Sequence, residues 1–323
     1  AYLRGLHQPE PVEPASVFAN GRGAHPDLAD VRGQERARRA LELAATGRHN
    51  LLLAGPPGTG KTMLARRLPG ILPALTLDEA LEVTRIYSVA GLLPAERPLV
   101  ADPPFRAPHH TTSTPAIVGG GPGPRPGEAT LAHRGVLLLD ELAEFPRAVL
   151  EALRQPLEDG NVAIARVTGR AVFPARFVLV GTMNPCPCGA RGDPAADCAC
   201  PAQKLAAYRA KLSRALLDRF DLVLHVPRPR ARELSEGAGE PSEAVRARVA
   251  AAAERIREER ASMGDAGAAL LARAVDALPL SARGRARVAR VAATIAALAG
   301  TAAIEPEHVA EALSYRAPPE LTP

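Results

Sequence analysis

The sequence predicts an α/β fold, a parallel β-sheet flanked by helices, followed by an all-helical unit. Three observations predict it. Short apolar runs at residues 51–54, 136–139, 177–180 and 222–226 each stop at a turn-forming or polar residue, which is how strands buried on both faces read. Segments of helical spacing lie between them, for example residues 147–157 and 205–217. That alternation argues for parallel pairing with helices on both faces. From Ser242 to Ser314 the spacing is helical throughout, with alanine on some faces and arginine on others.

The chain has 323 residues, a length that suggests about two domains. Residues 1–24 are rich in Pro and Gly and read as a linker; the start at Ala1-Tyr2-Leu3-Arg4 suggests that it follows a missing N-terminal domain. Residues 25–228 form the α/β core. A helix is expected from Asp30 to Thr46, with Arg36, Ala37, Ala40, Leu41 and Ala44 in register and Gly47 as the stop. After the first strand, residues 63–68 read as helix, ended by Pro69-Gly70. Two insertions interrupt the core. Residues 102–130 carry Pro, Gly, Thr and His with no helical period, and residues 160–176 read as a hairpin turning at Thr168-Gly169. A cysteine loop covers residues 186–200, residues 229–241 read as a linker, and residues 242–318 as a helical lid.

Bulk properties narrow the partners. The net charge of +5 and pI of about 9.3 suit an arginine-rich globular protein or one with a polyanionic partner such as nucleic acid; charge alone does not separate these. No apolar run reaches the length of a membrane span, no leader peptide is visible at the start, and the four cysteines lie close together, so no membrane partner and a cytoplasmic setting are expected.

The chemistry begins at Gly55-Pro56-Pro57-Gly58-Thr59-Gly60-Lys61-Thr62, which matches G-x-x-x-x-G-K-[ST] between a predicted strand and a predicted helix. Glycines let the backbone wrap phosphates, and the helix start attracts negative charge. Lys61, one of only three lysines, would reach the β- and γ-phosphates of ATP, and Thr62 would ligate Mg²⁺. The run Val136–Leu139 ends in Asp140 and Glu141. Beside a phosphate loop, Asp140 is the metal-side carboxylate and Glu141 the general base for water. Asn184, after the third strand, is placed to orient that water. Arg219, just before the fourth strand, reads as an arginine finger presented to a neighbouring subunit, with Arg214 its nearest rival. Arg283, at the start of a helix in the lid, is a candidate to touch the nucleotide. The expected reaction is therefore ATP hydrolysis by a P-loop NTPase.

Together these motifs resemble an AAA+ ATPase, and the interrupting segments narrow the likeness. Gly33-Gln34-Glu35, Gly47-Arg48-His49-Asn50, Phe105-Arg106-Ala107-Pro108-His109-His110 and Ala132-His133-Arg134-Gly135 resemble the Mg-chelatase-like branch. So do Leu153-Arg154-Gln155-Pro156-Leu157-Glu158 and, most tellingly, Met183-Asn184-Pro185-Cys186-Pro187-Cys188-Gly189. Over residues 25 to 315 the chain resembles the bacterial ComM/YifB family. That resemblance implies a homo-hexameric ATPase acting on single-stranded or branched DNA, with branch migration or helicase activity during recombination of transforming DNA. It also implies an N-terminal Lon-protease-like domain ahead of the motor. It places Arg219 at the finger position and Arg283 at the sensor-2 position. The family usually has Ser-Gly-Pro before Leu-Leu-Asp-Arg, whereas Ser213-Arg214-Ala215 stands here. DNA would be touched by the two insertions, with Arg125, Arg166 and Arg170 as the basic residues, while His109 and His110 read as packing or capping groups.

Cys186-x-Cys188 and Cys198-x-Cys200 admit three readings: one structural Zn²⁺ held by four thiolates, two reduced pairs, or disulfides formed on oxidation. Two other functions compete with the DNA motor: a chelatase-type motor subunit, and a protein remodeller with no nucleic-acid role. The cysteine loop and the His-His insertion favour the DNA motor.

Overall fold

The computed structural model describes residues 25–93, 98–120, 125–166, 169–235, 237–258, 261–278 and 280–316. The expected linker at 1–24, the Thr168 half of the hairpin turn and the end of the helical unit beyond 316 lie outside the described residues.

The strands in chain order are β1 (Leu51–Ala54), β2 (Phe105–Arg106), β3 (Val136–Leu139), β4 (Asn161–Arg166), β5 (Gly169–Pro174), β6 (Val178–Met183) and β7 (Leu222–His225). Five of them form one parallel sheet in the order β2-β3-β6-β1-β7, and β4 and β5 form the separate antiparallel hairpin. In register, Leu51 lies opposite both Val180 and Leu222, and Val136 opposite Val178. Every residue of β1, β3 and β6 is buried. Because side chains alternate along a strand, each strand feeds two cores. Leu51, Leu53, Leu138 and Val180 join one apolar cluster with the helix Glu35–Gly47 and the C-terminal helices. Leu52, Leu137, Leu139 and Leu179 join a second with Val149, Leu150, Leu216 and the insertions.

The helical portion comprises Ser242–Glu258, Asp265–Ala277, Ala282–Ala299 and Pro306–Ser314. Val245, Val249, Val288, Val291 and Ile295 enter the same cluster as Leu51 and Leu53, so this portion shares a continuous core with the sheet. Two short parallel strands, β8 (Ser262–Met263) and β9 (Ala303–Ile304), interrupt what the sequence led us to expect as helix throughout.

Other elements differ from expectation for local reasons. β6 runs on to Met183 rather than ending at Val180, paired in register with β1 as far as Ala54, and this carries Thr182 to the sheet tip. Pro69-Gly70 does not end a helix; it lies in a new short helix, Leu68–Ile71, whose first turn tolerates a proline without an N–H. The helix expected over 205–217 is two, Ala202–Arg209 and Arg214–Leu217, the second capped by the Ser213 hydroxyl accepting from the Leu216 N–H at 3.3 Å. The insertion at 102–130 holds β2 and the helices Thr114–Val118 and Glu128–Leu131, each too short to show a period. The helix Leu77–Val89 escaped the sequence reading although Thr76 and Glu79 form a complete capping box. Within the expected linker at 229–241 lies a short helix, Ala231–Ser235, and Gly239 donates its N–H to Ala29 O at 2.8 Å.

One geometric consequence matters for function. Gly55, Asp140 and Asn184 follow the C-terminal ends of their strands, whereas Asn50, Arg219 and Asp221 precede the N-terminal ends. A four-residue strand rises about 13 Å, so the loop and acids stand at one end of the strands and Arg219 at the other.

Candidate nucleotide site and a second arginine cavity

The loop after β1 turns through Gly58 (φ 75°) and Gly60 (φ 88°), left-handed conformations that glycine adopts without strain. At Gly55 a Cβ would stand 2.2 Å from Val226 O, so only glycine lets the loop pass β7. Thr59 Oγ1 donates to Pro56 O at 3.0 Å. Buried Lys61 donates its three ammonium protons to Gly55 O (2.8 Å), Pro56 O (2.7 Å) and Asn184 Oδ1 (3.2 Å). Burial pulls the Lys61 pKa below its ordinary value, opposed by the charges of Asp140 and then Glu141.

The acid pair stands beside it. Thr62 Oγ1 lies 2.9 and 3.1 Å from the two Asp140 oxygens. Thr182 Oγ1 donates to Asp140 Oδ1 at 2.5 Å and accepts the Glu141 N–H at 3.0 Å. Thr182 is a site residue that the sequence reading missed; its position one strand over, just before Met183-Asn184, was the available signal. Glu141 is left-handed (φ 56°), and its side chain is 62% exposed. The insertion brings His110 to it: His110 Nδ1 is 4.0 Å from Glu141 Oε2, its ring packs edge-on to Phe145, and the His109 ring lies 4.0 Å away. Of the two histidines, His109 is exposed and His110, half-buried, is the one that reaches the acid. Tyr208 anchors Asn184 from behind, donating to its carbonyl at 3.1 Å; burial pushes that phenol up to about 12.

Arg219 and Arg283 are not brought to Lys61. Arg219, buried, pairs with Glu158 at 2.5 Å and Arg283 pairs with the same carboxylate at 3.1 Å. Both line a cavity of about 1170 Å³ at the opposite end of the strands, with Arg48, Arg134, Arg287 and Arg290. Arg283, expected to touch a nucleotide from the lid, stands here with Arg219 on Glu158. Arg214 is exposed at the start of its short helix and does not line this cavity. Arg125 is exposed and closes a small bridge with Gly120, and Arg166 and Arg170 stand at the tip of the β4–β5 hairpin, where the side chains of 165–170 lie outside the described residues.

The four cysteines converge: their sulfurs all lie within 4.8 Å of one another, and none is in a disulfide. The Ala190 N–H, then the neighbouring thiols, hold Cys188 down at about 6, while burial pushes Cys186 up.

The strand order, the glycine loop after β1 and the acid pair after β3 define the AAA+ class of P-loop fold. The family model described as magnesium chelatase, subunit ChlI, matches residues 27–234, and its C-terminal counterpart matches 239–316. The chain belongs to the magnesium chelatase ChlI family. It is 51% identical over 310 residues to Rv2897c of Mycobacterium tuberculosis, covering 90% of this chain and 61% of that protein. It is 45% identical over 334 residues to the competence protein ComM of Haemophilus influenzae, covering 95% and 63%. It is 43% identical over 334 residues to YifB of Escherichia coli, covering 98% and 65%. The chain thus spans less than two thirds of the length of each of these relatives. Among the described residues no helix is long and apolar enough to cross a membrane.

Proposed function

We propose that this chain is an ATP-hydrolysing motor, with residues 25–228 as the core and 242–318 as the lid, working as a homo-hexameric ring on single-stranded or branched DNA. The observation that carries the ATPase reading is the clamp on Asp140: two hydroxyls, from Thr62 and Thr182, hold one carboxylate beside Lys61. Those hard oxygen donors suit Mg²⁺, which when bound would neutralise charge on the phosphates. Lys61 exchanges its loop carbonyls for phosphate oxygens. Asn184, already against Lys61, orients the attacking water. Glu141 takes the water's proton as the water oxygen bonds the γ-phosphorus and the bond to the leaving diphosphate breaks. Arg219 and Arg283 stand at the far end of the strands, which supports a role on the nucleotide of an adjoining subunit rather than on their own.

The DNA reading rests on the likeness to ComM and on the basic insertions; the chelatase description of the family supports the alternative, a motor subunit acting on a partner protein. ATPase assays on the full-length protein, with and without single-stranded and forked DNA across a salt series, separate them. Stimulation that fades with salt is expected. Hydrolysis indifferent to every DNA would leave the ATPase standing and remove the DNA partner. For the site itself, Lys61→Ala is expected to abolish nucleotide binding, and Glu141→Gln to bind ATP while hydrolysis falls at least about a hundredfold. Normal turnover in either variant would refute the assignment.

A further inference from the structure

We propose that the loop at 186–200 is a structural zinc site, and that the metal props the phosphate loop in its nucleotide-binding shape. The sulfurs are arranged for one small ion. Cys186 Sγ lies 3.3 Å from Cys188 Sγ and 3.6 Å from Cys198 Sγ, and Cys188 Sγ lies 3.7 Å from Cys198 Sγ. A tetrahedron with Zn–S bonds of about 2.3 Å has edges of about 3.8 Å, whereas a disulfide would bring a pair to about 2.05 Å. Four thiolates select a soft or borderline ion over Mg²⁺. The Arg191 N–H points at Cys186 Sγ at 3.3 Å, the kind of outer contact that orients a ligand sulfur.

The loop also needs a cross-link. Residues 184–201 contain no helix or strand, and between Cys186 and Tyr208 no residue joins an apolar cluster. With no apolar core of its own, the loop gains rigidity from a metal, because binding free energy then serves as folding free energy.

What the loop holds is the phosphate loop. Gly189 (φ 79°) lies directly on Pro57: a Cβ there would stand 2.7 Å from Pro57 Cδ. Gly192 lies on the other flank, where a Cβ would be 3.3 Å from His225 Nε2 at the end of β7. Asp193 pairs with Arg228 at 2.7 Å, tying the loop to the chain just beyond β7. At its near end sits Asn184, whose side chain accepts from Lys61. The cysteine loop therefore touches Pro57, the end of β7 with Arg228, and, through Asn184, Lys61.

The test is metal analysis of the full-length protein with binding of a fluorescent ATP analogue, mant-ATP, measured in parallel. About one zinc per chain is expected. The double variant Cys188→Ser/Cys198→Ser should lose it and bind mant-ATP about tenfold or more weakly, with the thermal transition of the apolar core retained. Gly189→Ala should keep the zinc and still weaken mant-ATP, because its Cβ meets Pro57. Absence of zinc, iron in its place, or disulfides in the protein kept under reductant would overturn the site. Zinc lost from the double variant with mant-ATP affinity unchanged would overturn the propping. A protein that carries zinc but binds no nucleotide would overturn the ATPase reading and the propping with it, and leave the metal site standing.

Discussion

Thr182 shows how much one hydroxyl contributes at the sheet tip. It donates to the Asp140 carboxylate and accepts the Glu141 backbone N–H, so a single side chain joins both positions. Thr182→Val keeps the shape of the strand and removes both bonds. We expect kcat/KM for ATP to fall about ten- to a hundredfold, or about 1.4–2.7 kcal/mol, with the melting temperature little changed. Unchanged kinetics would make Thr182 a strand filler. Lys61 follows the same logic in reverse. Burial disfavours its charge and lowers its pKa, and the two acids oppose that effect without cancelling it.

At the level of elements, Asp221 is the joint. It opens β7, accepts the Asn50 N–H at 3.0 Å beside the start of β1, and pairs with Arg290 from the helix Ala282–Ala299. His49 lies 3.7 Å from it at the end of the first long helix. Burial pushes its carboxyl up, but the His49 ring, Arg290 and the Asn50 N–H together bring it below the ordinary carboxylate value. A depressed folded-state pKa gives stability that is complete above the unfolded value of about 3.9 and lost as pH falls through the lower folded value. Asp221→Ala should therefore cost about 3 kcal/mol at neutral pH, and its deficit against the parent should shrink below about pH 4 in denaturant titrations. A pH-independent difference would mean that the lost packing, not the charge, was responsible.

For the whole molecule, the deciding feature is that Lys61 and the Glu158 pair of arginines lie at opposite ends of the strands of one sheet. If Arg219 serves the reaction, as proposed above, it serves the nucleotide of a second copy. Arg219→Ala should bind mant-ATP like the parent yet hydrolyse ATP at least about a hundredfold more slowly. Mixed with Lys61→Ala it should recover part of the activity, since each chain supplies what the other lacks. No recovery at any ratio, with both variants oligomeric, would place Arg219 outside the reaction. The same scale explains which expectations held. Leu51–Ala54 and Val136–Leu139 were read with their observed bounds because a strand buried on both faces is apolar at every position. The helix Leu77–Val89, the strand Phe105–Arg106 and the break at Ala210 were not, because short or mostly exposed elements leave little periodic signal.

The sequence alone determined which residues gather at the phosphate-loop end. Lys61, Thr62, Asp140, Glu141 and Asn184 each come after a strand or open a helix whose apolar pattern is local, and parallel strands must deliver the residues at their C-terminal ends to a common edge. Only the tertiary structure decided that Thr182 grips Asp140, that His110 reaches Glu141, that the cysteine loop lies on Pro57, and that Arg283 keeps company with Arg219 instead of Lys61. Those are contacts between segments distant along the chain or on separate strands. They depend on register and on how the C-terminal helices pack against the sheet, quantities that no local spacing encodes.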